Sequence, residues 1–414
     1  MASKGHRHCS MCAMCCGPIF LHISRPRTRM LTRRKLLFHG MRATVAAPTA
    51  LLALSYARSA AGATDSSSTD EARIRGAGSL KAHARAHGLF AGAAVNVRVL
   101  NDDPLYRVVL AEQYNMVVAE SEMKWKALRP TPDQFSFGLA DTFVAFATRQ
   151  KMRVRGHNFV WHEALPDWFS ATVTKDNAKK FLVDHIMTVG QRYQGRVHSW
   201  DVVNEAVLPK DGRPDGLRNS PWMELLGPEY IDIAFRAARA ADPHALLTYN
   251  EYGLEYDNDE DAERRAVTLQ LLRKLKEARV PIDAVGIQSH IKAASPYSIG
   301  NGVREFMASV RKMGLQIYIT ELDVNEDDLT YDDAAQRDRT IAATYRQYLS
   351  AVLPDKAVKA VLTWGVSDNH TWLNNGPTHK KKQPDRPQRS LPFDRDYRPK
   401  EAFFAMRDCF DNRV

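Results

Sequence analysis

Apolar runs in this chain repeatedly end in residues able to do chemistry: Glu120, His157, Asn204-Glu205, Asn250-Glu251, Gln288 with His290, Glu321 and Trp364. Two of these stand out. Glu205 lies in Trp200-Asp201-Val202-Val203-Asn204-Glu205-Ala206, and Glu321 in Ile319-Thr320-Glu321-Leu322-Asp323. A pair of carboxyl groups flanking an acetal can divide the work of breaking it. One protonates the leaving oxygen while the other faces the electron-poor carbon as an anion. Carboxyls about 5–5.5 Å apart act through a covalent ester with retention, and wider spacing admits water and gives inversion. A lone glutamate after a strand is ordinarily a surface or ion-paired residue, so the pair draws its weight from company. No glycine-rich phosphate loop is present, and Ser289 has no nucleophile-elbow sequence around it.

Residues so far apart in sequence need a scaffold that brings strand ends together. Short apolar runs suited to buried parallel strands recur at Leu89–Val95, Met116–Ala119, Arg153–His157, Ser199–Asn204, Leu246–Asn250, Ala284–Gln288, Gln316–Thr320 and Val361–Trp364. Amphipathic stretches lie between them. Phe181, Leu182, His185, Ile186 and Val189 share one face of Asn177–Tyr193, and Val267, Leu271, Leu272 and Leu275 share one face of Asp261–Val280. Strand–helix alternation predicts a parallel sheet, and eight units predict closure into a (β/α)8 TIM barrel, with an open doubly wound sheet as the alternative on periodicity alone. In a barrel the strand ends converge on one face, where barrel enzymes place their sites.

The string WDVVNEA, followed by GIQSH and ITELDV, resembles glycoside hydrolase family ten, the barrel xylanases, over residues 80–408. The resemblance implies retaining, endo-acting hydrolysis of β-1,4-xylosidic bonds in xylan or xylo-oligosaccharides, with no cofactor and no metal. It implies that Glu205 is the acid/base and Glu321 the nucleophile. Asn204 would bond the sugar 2-hydroxyl, and His290 with Asp323 would keep the nucleophile oriented and ionised. His157 and Trp161 match the wall around the reacting sugar, with Gln288 nearby, and Trp364 and Trp372 match the aromatic pair above it. Glu120 and Lys124 match polar contacts to the next sugar on the non-reducing side. Two positions depart: Ser121 stands where the family has Asn, and Ala164 where it has Gln. Both shorten a side chain, which leaves another β-1,4-glycan, of glucan type, as an alternative substrate. A non-catalytic carbohydrate-binding barrel is the alternative from another class, opposed by the intact glutamate pair.

Other residues read as structural. Trp168, Trp200 and Trp222 are expected to pack, and His185 to lie in the core. The run His379-Lys380-Lys381-Lys382, with Arg386 and Arg389, reads as a solvated loop; its sharper reading is contact with acidic substituents on xylan.

The net charge of +10 suggests nucleic acid until it is mapped. Residues 1–63 hold ten Lys and Arg and no Asp or Glu, which leaves 48 basic against 48 acidic residues in the body. No phosphate-binding footprint remains. Cys9, Cys12, Cys15 and Cys16 also fall in this leader, and only Cys409 lies in the body. Thr32-Arg33-Arg34-Lys35-Leu36-Leu37, the apolar run through Leu54 and the small residues Ser59–Ala63 resemble a twin-arginine export signal. The expectation is export to the periplasm or beyond, with Met30 as a candidate start and no stable membrane anchor. Residues 64–79 read as a linker and 409–414 as a tail; the mature chain is expected to be a monomer.

Overall fold

The computed structural model describes residues 73–375 and 385–413. Nine strands occur among them: β1 Phe90–Val95, β2 Met116–Ala119, β3 Arg153–Val160, β4 Ser199–Asn204, β5 Leu246–Glu251, β6 Ala284–Ile287, β7 His290–Lys292, β8 Gln316–Asn325 and β9 Val358–Thr363. All pair in parallel. β6 joins β8 and β9 joins β1, so eight strands close into the expected barrel, while β7 extends the outer half of β8. Strands such as Met116-Val117-Val118-Ala119 are buried throughout, as a parallel strand between lumen and helices must be.

Helices cover the outside. Ala178–Arg192 turns Leu182, His185, Ile186 and Val189 inward. Asp259–Glu277 buries Leu271, Leu272 and Leu275, and its cap Asn258 accepts the Asp261 N–H at 2.8 Å. Acids in its first turn and lysines in its last oppose the helix dipole at both ends.

The lumen is a second, smaller core of Ala94, Met116, Val118, Ala284, Tyr318, Ala360, Leu362 and Trp364. A polar column runs through it. Arg155 bonds Ser199 Oγ at 3.3 Å, pairs with Asp201 and lies 5.2 Å from the Tyr318 ring. A buried guanidinium is tolerated here because its donors and charge are met.

The structure differs from the sequence reading in particular places. β8 runs on to Asn325, so Glu321 lies inside a strand whose pairing slips between Ile319 and Leu322. Residues 73–79, read as the end of a linker, dock on the barrel: Gln113 Nε2 donates to the Ile74 carbonyl at 2.8 Å, and Ser79 is fully buried. The solvated-loop reading fails at two arginines. Arg389 grips Asp338 through two nitrogens, and Arg386 donates to the carbonyls of Tyr331, Glu326 and Leu329. The run 379–382, the leader 1–63 and its twin arginines lie outside the described residues.

Candidate active site

A cleft of about 830 Å³ opens at the C-terminal ends of the strands. Glu120, Lys124, His157, Trp161, Asn204, Glu205, Gln288, His290, Glu321, Trp364 and Trp372 all line it. Asp323, also expected at the site, lies fully buried behind His290. Ser121 and Ala164 line the cleft as well, so the two departures fall where a ligand would feel them. Glu251 does not line it. It is buried under the floor, accepting from the N–H groups of Val207 and Tyr252 at 3.1 Å and from the Tyr249 hydroxyl. Ser289 is also buried, its hydroxyl 2.5 Å from that of Tyr348.

The two glutamates are linked through side-chain amides. Asn204 Nδ2 donates to Glu205 Oε1 at 3.0 Å, and Gln288 Nε2 donates to the same oxygen at 2.9 Å. Asn250 Nδ2 donates to Asn204 Oδ1 and to Glu321 Oε1, both at 2.8 Å. Asn250 in turn accepts Thr320 Oγ1 at 2.8 Å. Strand register explains the cluster, since Asn204 stands beside Asn250 on β4–β5 and Asn250 beside Gly286 on β5–β6. A Cβ on Gly286 would lie 2.0 Å from Asn250 Oδ1, so glycine leaves the space the bridging amide needs.

Glu321 is held as an anion. Register sets His290 of β7 opposite Asp323 of β8, and His290 Nδ1 lies 2.9 Å from Asp323 Oδ1. The other ring nitrogen is 3.4 Å from Glu321 Oε2. Burial works against a charged His290, but the Asp323 carboxylate and then Glu321 outweigh it and hold the ring's pKa well above its usual value. Burial would likewise raise Glu321. The His290 hydrogen bond, with the charges of His157, His290 and Lys124, overcomes it and brings the carboxyl down to about 2. Trp372 Nε1 donates to the second Asp323 oxygen at 2.6 Å, tying an aromatic wall to the same relay.

The polar column reaches the cleft at His157. Asp201 bonds His157 Nδ1 at 2.9 Å, and the His157 ring meets Trp364 edge-on at 5.3 Å. Lys124 Nζ lies 4.7 Å from the Trp161 ring and 5.9 Å from that of Trp364. Burial lowers the Lys124 pKa, against the pull of Glu321 and Glu120. Burial, and then the neighbouring Glu122 charge, push Glu120 up to about 8. The expected packing residues pack: Trp200 and Trp222 are buried, Trp168 lies against Phe181, and His185 stacks on Trp125 at 3.8 Å.

Sequence reasoning missed several members of the site. Asn250 and Asp201 were visible as strand residues, but their roles depend on register. His162 Nδ1 stands 3.9 Å from Glu205 Oε2. Burial, then Arg218, lower its pKa to about 4, so a neutral imidazole faces that carboxyl. Glu163, Asn96, Lys126, Ala127, His370 and Thr371 complete the lining. No group of metal-ligating side chains occurs among the described residues.

A closed parallel barrel with an amide-linked glutamate pair in an aromatic-walled cleft at its C-terminal face defines a glycosidase-type site. The chain belongs to Glycosyl hydrolase family 10, which it matches over residues 79–409. It is 36% identical over 336 residues to endo-1,4-beta-xylanase A of Caldicellulosiruptor sp. (strain Rt8B.4), covering 77% of this chain and 46% of that protein. The chain thus spans about half the length of that relative. It is 35% identical to a beta-1,4-xylanase of Dictyoglomus thermophilum, covering 73% of this chain and 83% of that one. Xylanase 10B from Thermotoga petrophila RKU-1, solved in complex with xylobiose, superposes with a TM-score of 0.71 at 34% identity, covering 80% of this chain and 97% of that chain.

Proposed function

We propose that this protein is a retaining endo-β-1,4-xylanase acting on xylan and xylo-oligosaccharides. The observation that carries the reading is the unequal treatment of two linked carboxyls. Glu321 is kept ionised by the His290–Asp323 relay, as a nucleophile requires. Glu205 faces it across the Asn204–Asn250 amides as proton donor and then base. In the first step Glu205 protonates the glycosidic oxygen as Glu321 attacks the anomeric carbon. In the second, water takes the sugar from Glu321 and gives its proton to Glu205. Trp161, Trp364 and Trp372 offer indole faces to the C–H faces of the sugars. Family membership and the likeness to a xylobiose-bound xylanase support xylose as the repeating unit.

Residues 64–414 mixed with xylohexaose, with cellohexaose in parallel, test this directly. The expected products are short xylo-oligomers whose new reducing ends are first β. Turnover of cellohexaose alone would move the substrate to a glucan, and no turnover of either would refute the enzymatic reading. We propose further that the twin-arginine segment exports the protein; unimpaired export after Arg33 and Arg34 are both changed to Lys would refute that route.

A further inference from the structure

Glu205 occupies an unusual backbone position. It follows the last residue of β4 with φ at +58°, in the left-handed region where non-glycine residues are uncommon and carry strain. Its N–H donates to the Asn250 carbonyl at 2.9 Å. Its own carbonyl accepts Arg218 Nε at 2.7 Å.

Arg218 is built into this turn. Its N–H donates to the Ala206 carbonyl at 2.7 Å, and its Nη2 donates to the Tyr252 hydroxyl at 3.0 Å. Beside it, Val207 bridges Leu217 and Leu208 N–H donates to the Gly216 carbonyl at 3.0 Å, so the segment after Glu205 is paired along its length. Arg264 braces the arrangement from behind, donating to the Val207 carbonyl at 2.9 Å with its guanidinium 4.3 Å from the Tyr252 ring.

Two features separate Arg218 from an ordinary structural arginine. It is 8% exposed, yet no carboxylate among the described residues lies within 4 Å of it. Its nearest acceptors are the carbonyl of Glu205 and a phenol. Burial works against its charge but is outweighed by Tyr252 and, at longer range, Glu205 and Glu251, which raise its pKa, so it stays cationic without a direct ion pair. It also does not line the cleft, so substrate contact does not account for it.

We propose that Arg218 is a positioning residue for proton donation: by holding the Glu205 carbonyl it fixes the left-handed turn that aims the Glu205 carboxyl at the leaving oxygen. The inference rests on the assignment of Glu205 as proton donor. In that step the Glu205 proton passes to the glycosidic oxygen, the bond from that oxygen to the anomeric carbon breaks, and a Glu321 oxygen bonds to the carbon. A leaving group that departs as a stable anion needs no such proton.

This difference supplies the test. The ratio kcat/KM is measured for the wild type, Arg218→Met and Arg218→Lys on xylohexaose and on 2,4-dinitrophenyl β-xylobioside. For a two-step mechanism it reports the first step on both substrates. With Arg218→Met, kcat/KM on xylohexaose is expected to fall ~10²-fold, as a displacement of about 1 Å at a reacting group can cost. The dinitrophenyl substrate is expected to change less than about 3-fold, because general acid assistance, worth roughly 10²–10⁴, is not used there. Arg218→Lys, which keeps one donor for the carbonyl, is expected to show the same split in smaller measure. If Arg218→Met does not fold, the split is read on Arg218→Lys. Equal falls on both substrates, or no fall on xylohexaose, would overturn the proposal. Wild-type turnover of xylohexaose is read first: its absence would strike the proposed function and this proposal with it, whereas wild-type turnover without the split would strike the role of Arg218 alone.

Discussion

Changing Asp323 to Asn removes one charge from the relay while nearly preserving shape. Asp323 is fully buried and accepts from His290 Nδ1 at 2.9 Å and Trp372 Nε1 at 2.6 Å. Its carboxylate is the main attraction that keeps His290 protonated against the cost of burial. With a neutral amide in its place, the imidazole loses its proton and Glu321 loses both a hydrogen bond and a nearby cation. Glu321 is then left to its burial, which raises a carboxyl. Return from about 2 to the ordinary 4.5 corresponds to about 3 kcal/mol of lost preference for the anion, since one pH unit is worth about 1.4 kcal/mol. The sign is definite. A depressed pKa favours the ionised form above the ordinary value, and that advantage is lost as pH falls towards the depressed one. The assay is kcat/KM on xylohexaose from pH 3 to 8. The acid limb of Asp323→Asn is expected about two pH units above that of the wild type, so the deficit widens ~10-fold per unit below pH ~4.5. A parallel loss at every pH, with the acid limb unmoved, would refute the argument that Asp323 acts through the ionisation of Glu321.

Three further outcomes are expected. Gly286→Ala places a methyl 2.0 Å from Asn250 Oδ1; it should cost about 1–3 kcal/mol in urea unfolding and lower kcat/KM by displacing the bridging amide. Asn250→Ala removes both 2.8 Å bonds, to Asn204 and Glu321, and should lower kcat/KM ~10²-fold while KM changes little. His185 is buried with neither ring nitrogen hydrogen-bonded among the described residues, and burial, then Arg129, hold its pKa well below 6.5. The unfolded chain binds a proton that the fold refuses, so the contribution of this residue to stability is lost as pH drops below 6.5. His185→Leu should therefore gain stability relative to the wild type between unfolding measured at pH 7.5 and at pH 5.

Much of this was legible because it is local. Glu205, His290, Glu321 and Trp364 each fall at or next to a strand whose apolar run announces it, and barrel closure carries those positions to one face. Asn250 shows what is not local: its type and strand are plain in the sequence, but its bonds to Asn204 and Glu321 depend on the register of β4, β5 and β6. Arg218 lies in a loop with no periodic signal, and its target is a backbone carbonyl that no side-chain pattern encodes. Arg386 and Arg389 looked solvated because a Pro-rich basic stretch usually is, whereas their partners Glu326, Leu329 and Asp338 lie more than fifty residues away. The β8 extension was also hidden, since Glu321 and Asp323 interrupt the apolar run that would mark a buried strand.

The central claim is that Glu321 forms a covalent bond to the sugar and Glu205 does not. A 2-deoxy-2-fluoro-β-xylobioside with a dinitrophenyl leaving group slows both steps but lets the first proceed, so the glycosyl-enzyme accumulates. Peptide mapping of the inactivated protein by mass spectrometry is expected to find one added fluoro-xylobiosyl group, on the peptide containing Glu321. The group on any other residue, or steady hydrolysis without a trapped species and with inverted product, would contradict the account.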